Sequence, residues 1–226
     1  MFFSDKNTNY ARTGKITCWA TFILGIFYII ITILGFISLN SPNEPIGDPY
    51  FSLMEILTLI MAPLMAMNMI AVHYHASSKY KLNSLFGIFS MFVMAGITSC
   101  VHFVVLTMNH QIDTTTMREL TLFFSFKWPS IVYVLDILAW DWFFALSFLF
   151  AAPIFDNGKL EKTIRALMII SGTLSLIGLI GVPLENMQVR NIGIIGYAVI
   201  APFVFLLIGI NFNRIQLKKT NAQQRV

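Results

Sequence analysis

Six apolar stretches, each about 20 residues long, constrain this chain more than any other feature, because a helix of that length crosses the ~30 Å hydrocarbon layer of a bilayer. They lie near 16–38, 51–72, 84–106, 130–153, 164–183 and 191–212. Backbone polar groups cannot go unpaired in lipid, so each run must be helical or belong to a closed barrel. Runs this long and continuous are helices. The chain is 57% hydrophobic and 12% charged, whereas soluble domains carry roughly 25% charged residues. The expected fold is therefore all-α: a polytopic membrane bundle of six transmembrane helices forming a single transmembrane domain over residues 1–226.

Lysine and arginine set the expected orientation. With the N-terminus inside, the inner segments hold Lys6, Arg12, Lys15, Lys79, Lys81, Lys159, Lys162, Arg165, Arg214, Lys218, Lys219 and Arg225. The outer segments hold only Arg118, Lys127 and Arg190. The positive-inside rule then places both termini in the cytoplasm of a multi-pass cell-membrane protein. The first span follows a polar start and shows no small-residue cleavage pattern, so it is expected to be retained. The net charge of +4 is spread over these loops and not gathered on a soluble face, so no nucleic-acid partner is expected. Cys18 and Cys100 both fall in spans, with neither CxxC nor zinc spacing.

The longest outer segment, 107–129, contains Thr116 and Glu119 at capping-box spacing, followed by Leu120 and Phe123–Phe124. It reads as a short amphipathic helix over about 114–126 lying on the outer surface, or as a plain loop, or as a lid over something below.

Three acids and one histidine lie inside the spans: Glu55, Asp136, Asp141 and His102. Ionisable groups at membrane depth are costly and point to a site or a buried partner. Helix rise puts Glu55 and His102 each ~6 Å below the outer boundary, Asp136 ~9 Å and Asp141 ~16 Å. Tyr133, Asp136, Trp140 and Ser147 fall near one face of span 4, and Thr98, Ser99 and His102 form a polar strip on span 3. A pocket opening outward between spans 2, 3 and 4 follows, with Glu55, His102, Asp136, Trp140, Tyr133, Thr98 and Asp141 as candidates to bind a ligand or proton. Five residues of α-helix separate Asp136 from Asp141 by about 140°, so the two are not expected to share a stripe. Asp141 is expected to be neutral and internally bonded. Arg165, at the inner edge of the fifth stretch, is the one basic residue within these bounds and lies at the opposite end from the acids, so His102 is the one ion-pair partner in reach.

Metal readings are weaker. Glu55, His102 and Asp136 are a plausible ligand set for zinc, manganese or iron, but no local spacing motif supports it. His73 and His75 belong at the opposite face from His102 and His110, so the four histidines cannot share one ion. "MAPLMAMNM" (61–69) offers thioethers suited to Cu(I), although methionine more commonly fills cores. Pro63 is expected to kink span 2. Ser171, Gly172, Ser175, Gly178, Gly181, Gly193 and Gly196 read as close-packing positions. No lysine within a span is available for a retinal Schiff base, and no Walker A or HExxH pattern occurs. The sequence names no cofactor.

"MEILTLIMAPLM", "GITSCVHFV" and "LDILAWDWFFALSFLFAAP" resemble strings in a family of uncharacterised bacterial integral membrane proteins of six spans. The resemblance covers most of the chain, best from span 2 to span 6. It implies the architecture and carries no activity. Three function classes stay open. A small-molecule or proton-coupled transporter would use Glu55 and Asp136 for a proton or a cationic solute, with tryptophan faces attracting the cation. A membrane-embedded enzyme would use acid–base chemistry on a lipid-phase substrate. A binding or assembly protein would use the acids only to orient helices. The expected partners are the lipid bilayer and a small hydrophobic or cationic ligand, and a homo-oligomer is allowed.

Overall fold

A computed structural model describes residues 6–41, 44–111 and 120–223. The described residues form helices and connecting turns, with no strand among them. Six helices are long and apolar enough to cross a membrane: Asn9–Ile37, Tyr50–His75, Ser78–Met108, Ile131–Ile154, Gly158–Leu179 and Met187–Lys218, called spans 1 to 6 below. This is the architecture of a polytopic membrane protein. Large apolar side chains such as Ile33, Phe36, Phe89, Phe92 and Phe103 are exposed along the outside of the bundle, as lipid-facing surfaces require.

The helices run alternately up and down. One end of the bundle, here the upper end, carries segments 38–49, 120–130 and 180–186, and the lower end carries 76–80 and 155–157. Span 2 packs on spans 1 and 3, and span 1 also packs on the lower part of span 6. The lower half is filled by Met69, Met91, Phe144, Phe148, Phe205 and Phe212, all fully buried. The methionine row therefore serves mainly as core filling, with Met67 exposed. Span 2 continues as helix through Pro63.

The interruptions lie elsewhere. Span 4 consists of Ile131–Ile137, a π-helical segment Leu138–Phe144, and Ala145–Ala151 running into a 3-10 turn. Span 6 consists of Met187–Ile194, a second π-helical segment Ile195–Ile200, and Ala201–Gln223. A π-turn closes i→i+5 hydrogen bonds and so inserts one residue per turn.

The segment expected as an amphipathic helix over 114–126 is described only from residue 120 on. Residues 112–119, with Thr116 and Glu119, lie outside the described residues. Thr121–Phe124 make one helical turn, with Leu122 and Phe123 exposed. Phe126 then turns inward over His102, ring centroids 5.6 Å apart, and packs on Phe51 and Tyr133.

Spans 5 and 6 approach through glycines. A Cβ on Gly178 would meet the Gly193 backbone at 2.7 Å, and one on Gly181 would collide with the Arg190 backbone. The Ser171 hydroxyl donates to the Gly196 carbonyl, 2.8 Å. Gly178→Ala is therefore expected to destabilise the bundle by overpacking, by about 1–3 kcal/mol. Gly96, with nothing within 4 Å of its Cβ position, should accept alanine with no loss. Thermal melting of both variants in detergent checks the contrast.

Candidate functional site

Glu55, His102 and Asp136 occupy one layer near the upper end. Each is no more than 5% exposed. His102 Nδ1 lies 2.7 Å from Glu55 Oε2, and Nε2 lies 3.3 Å from Asp136 Oδ1. The imidazole is thus held on both sides. Both carboxylates can accept at once only from a ring carrying two N–H groups. The same arrangement bears on the metal reading: the two carboxylates occupy opposite ring nitrogens, so the three groups do not converge on one point. Among the described residues, no group of three His, Cys, Asp or Glu side chains is placed to hold a metal ion.

The chain of charges does not end at Asp136, because Arg190 belongs to it. Its Nη2 lies 3.5 Å from Asp136 Oδ2, its Nε 3.4 Å from Asp141 Oδ2, and its guanidinium stands 5.1 Å from the Tyr133 ring centroid. This corrects the expectation that only His102 could neutralise a carboxylate in the spans. Span 6 begins at Met187, four residues before the apolar run at 191, because Asn186 caps it. The Asn186 carboxamide oxygen accepts from the backbone N–H groups of Gln188 and Val189. Arg190 therefore sits in the first turn of the helix, buried at 3% exposure.

Asp141, expected to be a neutral carboxyl bonded internally, is fully buried beside the Arg190 guanidinium, and neither of its carboxyl oxygens makes a hydrogen bond among the described residues. The 140° separation from Asp136 assumed α-helix throughout. The π-helical segment begins at Leu138, between the two aspartates, and i→i+5 winding brings residues five apart towards one face. Both aspartates consequently reach Arg190. Gly193 makes room, since a Cβ there would collide with Asp141 Oδ1.

Beside this chain lies a cavity of about 470 Å³. Its wall includes His102, Tyr133, Asp136, Trp140 and Arg190, together with Tyr28 of span 1 and Tyr197 of span 6. The expected pocket between spans 2, 3 and 4 is thus a cavity among spans 1, 2, 4 and 6, with span 3 contributing His102 alone. Trp140 packs against Tyr197, ring centroids 5.1 Å apart and planes tilted by 34°. Thr98 takes no part: it is fully buried, and its hydroxyl donates to Met94 Sδ, 3.4 Å. Ser147 likewise turns away, donating to the Gly87 carbonyl at 2.7 Å.

A second polar knot closes the lower end. Glu161 Oε1 lies 3.1 Å from His75 Nε2 and accepts from Asn211 Nδ2 at 3.1 Å, while Oε2 accepts from the Asn157 backbone N–H at 2.9 Å. His75 stands twenty residues beyond Glu55 on the same helix, about 30 Å along it.

Breaking a buried pair by deleting one partner strands the other charge, which costs about 3–5 kcal/mol. Arg190→Gln should therefore lower the melting temperature far more than Asp141→Asn does. The double variant Asp141→Asn/Arg190→Gln should recover part of the loss, because it strands one carboxylate and not two. Equal, additive losses in the two single variants would show that Arg190 and Asp141 are not coupled.

No family model, curated protein or solved structure matches this chain. The likeness to bacterial membrane proteins gains no support from them, and the site's own chemistry carries the functional reading.

Proposed function

We propose that this protein is a proton-coupled transporter that exchanges a proton for a small cationic molecule at the Glu55–His102–Asp136–Arg190–Asp141 chain. One observation carries the reading: an ionic chain buried at membrane depth forms part of the wall of an otherwise largely apolar cavity. Three carboxylates face one guanidinium and one imidazole. Even with both bases charged, one negative charge is left in a medium that penalises it. A proton or a bound cation removes it. The two cannot both be accommodated without leaving an excess positive charge, so binding of one favours release of the other.

The two ends of the bundle support the coupling. The cavity lies in the upper half, and the lower half is packed with aromatic and methionine side chains above the His75–Glu161–Asn211 knot. Passage to the lower side requires that packing to part, and the π-helical segments of spans 4 and 6 flank the cavity where such movement would start. The lysine and arginine distribution supports a cell-membrane orientation with the upper end outside and both termini cytoplasmic.

A second reading has its own observation. An imidazole held between two carboxylates at a cavity wall is an acid–base unit suited to proton transfer on a lipid-phase substrate. A transporter returns its substrate unchanged; an enzyme does not.

The test uses the full chain in liposomes loaded with a pH-sensitive dye, with organic amines of graded size added outside. Exchange predicts proton movement out of the liposomes on amine addition. It should fall to the protein-free level in Asp136→Asn and His102→Gln. Glu161→Gln, which weakens the lower knot, should instead raise the background proton leak. Wild-type signals no different from empty liposomes would remove the transport reading.

A further inference from the structure

The cavity's opening bears on where its ligand comes from. Spans 1 and 6 are locked together through their lower halves. Gly14 packs on Phe212, Trp19 on Gly209, and Gly25 on Pro202, where a Cβ on Gly25 would lie 2.8 Å from Pro202 Cγ. Above Gly25 and Pro202 the two helices part, and span 1 touches the segment Ile195–Ile200 only sparsely. The cavity occupies this divergence. Ile33 and Phe36 on span 1 and Val199 on span 6 line it and are at the same time 51%, 63% and 43% exposed. These residues lie within the membrane-spanning helices, so the surface they open onto is hydrocarbon.

The upper approach is covered. Phe126 lies over His102 and Tyr133, and Ile46 rests against Gly35 at the top of span 1. The lower approach is filled by Phe144, Phe148 and Phe205. A molecule reaching Asp136 and His102 between spans 1 and 6 therefore passes Ile, Phe and Val side chains and meets its first charged groups at the inner wall. That order, apolar at the rim and charged inside, fits an amphiphile arriving head first from the bilayer. The unbalanced negative charge of the ionic chain selects the sign of the head, and Tyr28, Trp140 and Tyr197 supply ring faces along the same wall, where a cation is attracted.

We infer that the ligand is a lipid-phase amphiphilic amine, which enters sideways from the bilayer between spans 1 and 6 and places its ammonium head beside Asp136 with its apolar chain along Ile33, Phe36 and Val199. The inference rests on the proton–cation exchange reading for the charge of the head. It goes beyond that reading in naming the ligand class and the route.

Photolabelling tests it. The full chain in liposomes is exposed to dodecylamine carrying a diazirine in its chain, and to the matching alcohol and carboxylic acid, and the labelled peptides are mapped. The amine should label the peptides holding Ile33, Phe36 and Val199 several-fold above those holding Phe89 and Phe92, which face lipid on span 3. The alcohol and acid should show no such preference. Asp136→Asn should remove the amine's enrichment, by roughly tenfold or more in affinity, the scale of losing one buried charge partner. Val199→Trp, which narrows the rim without touching the charges, should cut labelling at Tyr28 and Tyr197 and leave Phe89 and Phe92 as they were. This variant and the head-group series decide the matter even if Asp136→Asn fails to fold.

Equal amine labelling of both surfaces, or acid labelling as strong as amine, overturns the inference. Two further outcomes separate it from its parent reading. Enriched amine labelling with no proton released on binding keeps the ligand class and ends the exchange mechanism. Proton exchange with water-soluble amines that Val199→Trp does not slow, without enriched dodecylamine labelling, keeps exchange and ends the lateral route.

Discussion

Arg190 is the charge on which the upper half of this bundle depends. A carboxylate in hydrocarbon must be paired, hydrogen-bonded or neutralised, and two of the three here share one guanidinium. The helices are arranged to deliver it. Asn186 starts span 6 early enough to include it, Gly178 and Gly181 let span 5 lie against its backbone, and Gly193 leaves room for the carboxylate it meets. Tyr133 backs its planar face at 5.1 Å. The histidine end of the chain, by contrast, needs little beyond the rise of three helices, which places Glu55, His102 and Asp136 at one depth.

Much of this was legible in the sequence because hydropathy and helix rise are local properties. Six helices long and apolar enough to cross a membrane overlap the six apolar runs, with ends that differ by several residues, and the Glu55–His102–Asp136 layer follows from counting residues inward from each boundary. Arg190 was lost because an apolar window begins a span at the first greasy residue, whereas a capped helix begins where its first N–H groups are satisfied. Asn186 followed by Met187 is a start signal, and weighing it would have moved the boundary and brought Arg190 inside. The pairing of Asp141 was lost for another reason: nothing in "LAWDWFF" marks a change from i→i+4 to i→i+5 winding. The roles of Tyr28 and Tyr197 could not be read either, because hydropathy orders helices along the chain but does not say which become neighbours. Thr98 shows the converse. Helical spacing put it beside His102, and its hydroxyl instead found a sulfur in its own preceding turn.

The polar groups are also divided between the two ends in a way that composition conceals. His102 and His75 each meet a carboxylate, about 30 Å apart along the bundle. The His75 knot ties spans 2, 5 and 6 through short contacts at the lower rim. The upper chain ties spans 2, 3, 4 and 6 and leaves span 1 bound to neither set. Span 1 is held by glycine contacts, by the Asn68 carboxamide donating to the Thr21 hydroxyl at 2.9 Å and by Lys15 Nζ donating to Asn213 Oδ1 at 3.5 Å, and it is the least buried of the six helices. The element that forms one side of the cavity mouth is thus tied into neither ionic set.

The π-helical segment of span 4 gives that helix slack in its length at one place. Residues 138–144 hold one residue more than an α-helix would use to climb the same height. Removing a single residue between Leu138 and Asp141 would let the segment rewind as α-helix, with the parts above and below keeping their height and facing. Asp136 and Asp141, then four apart on an α-helix, would still lie within about 40° of one another. The same deletion within Ala145–Ala151, where the winding is already α-helical, finds no extra residue to absorb it and turns everything above it by about 100° relative to the part below. One lost residue is thus absorbed in the middle of span 4 and becomes a rotation farther down, swinging Tyr133 and Asp136 out of the cavity wall.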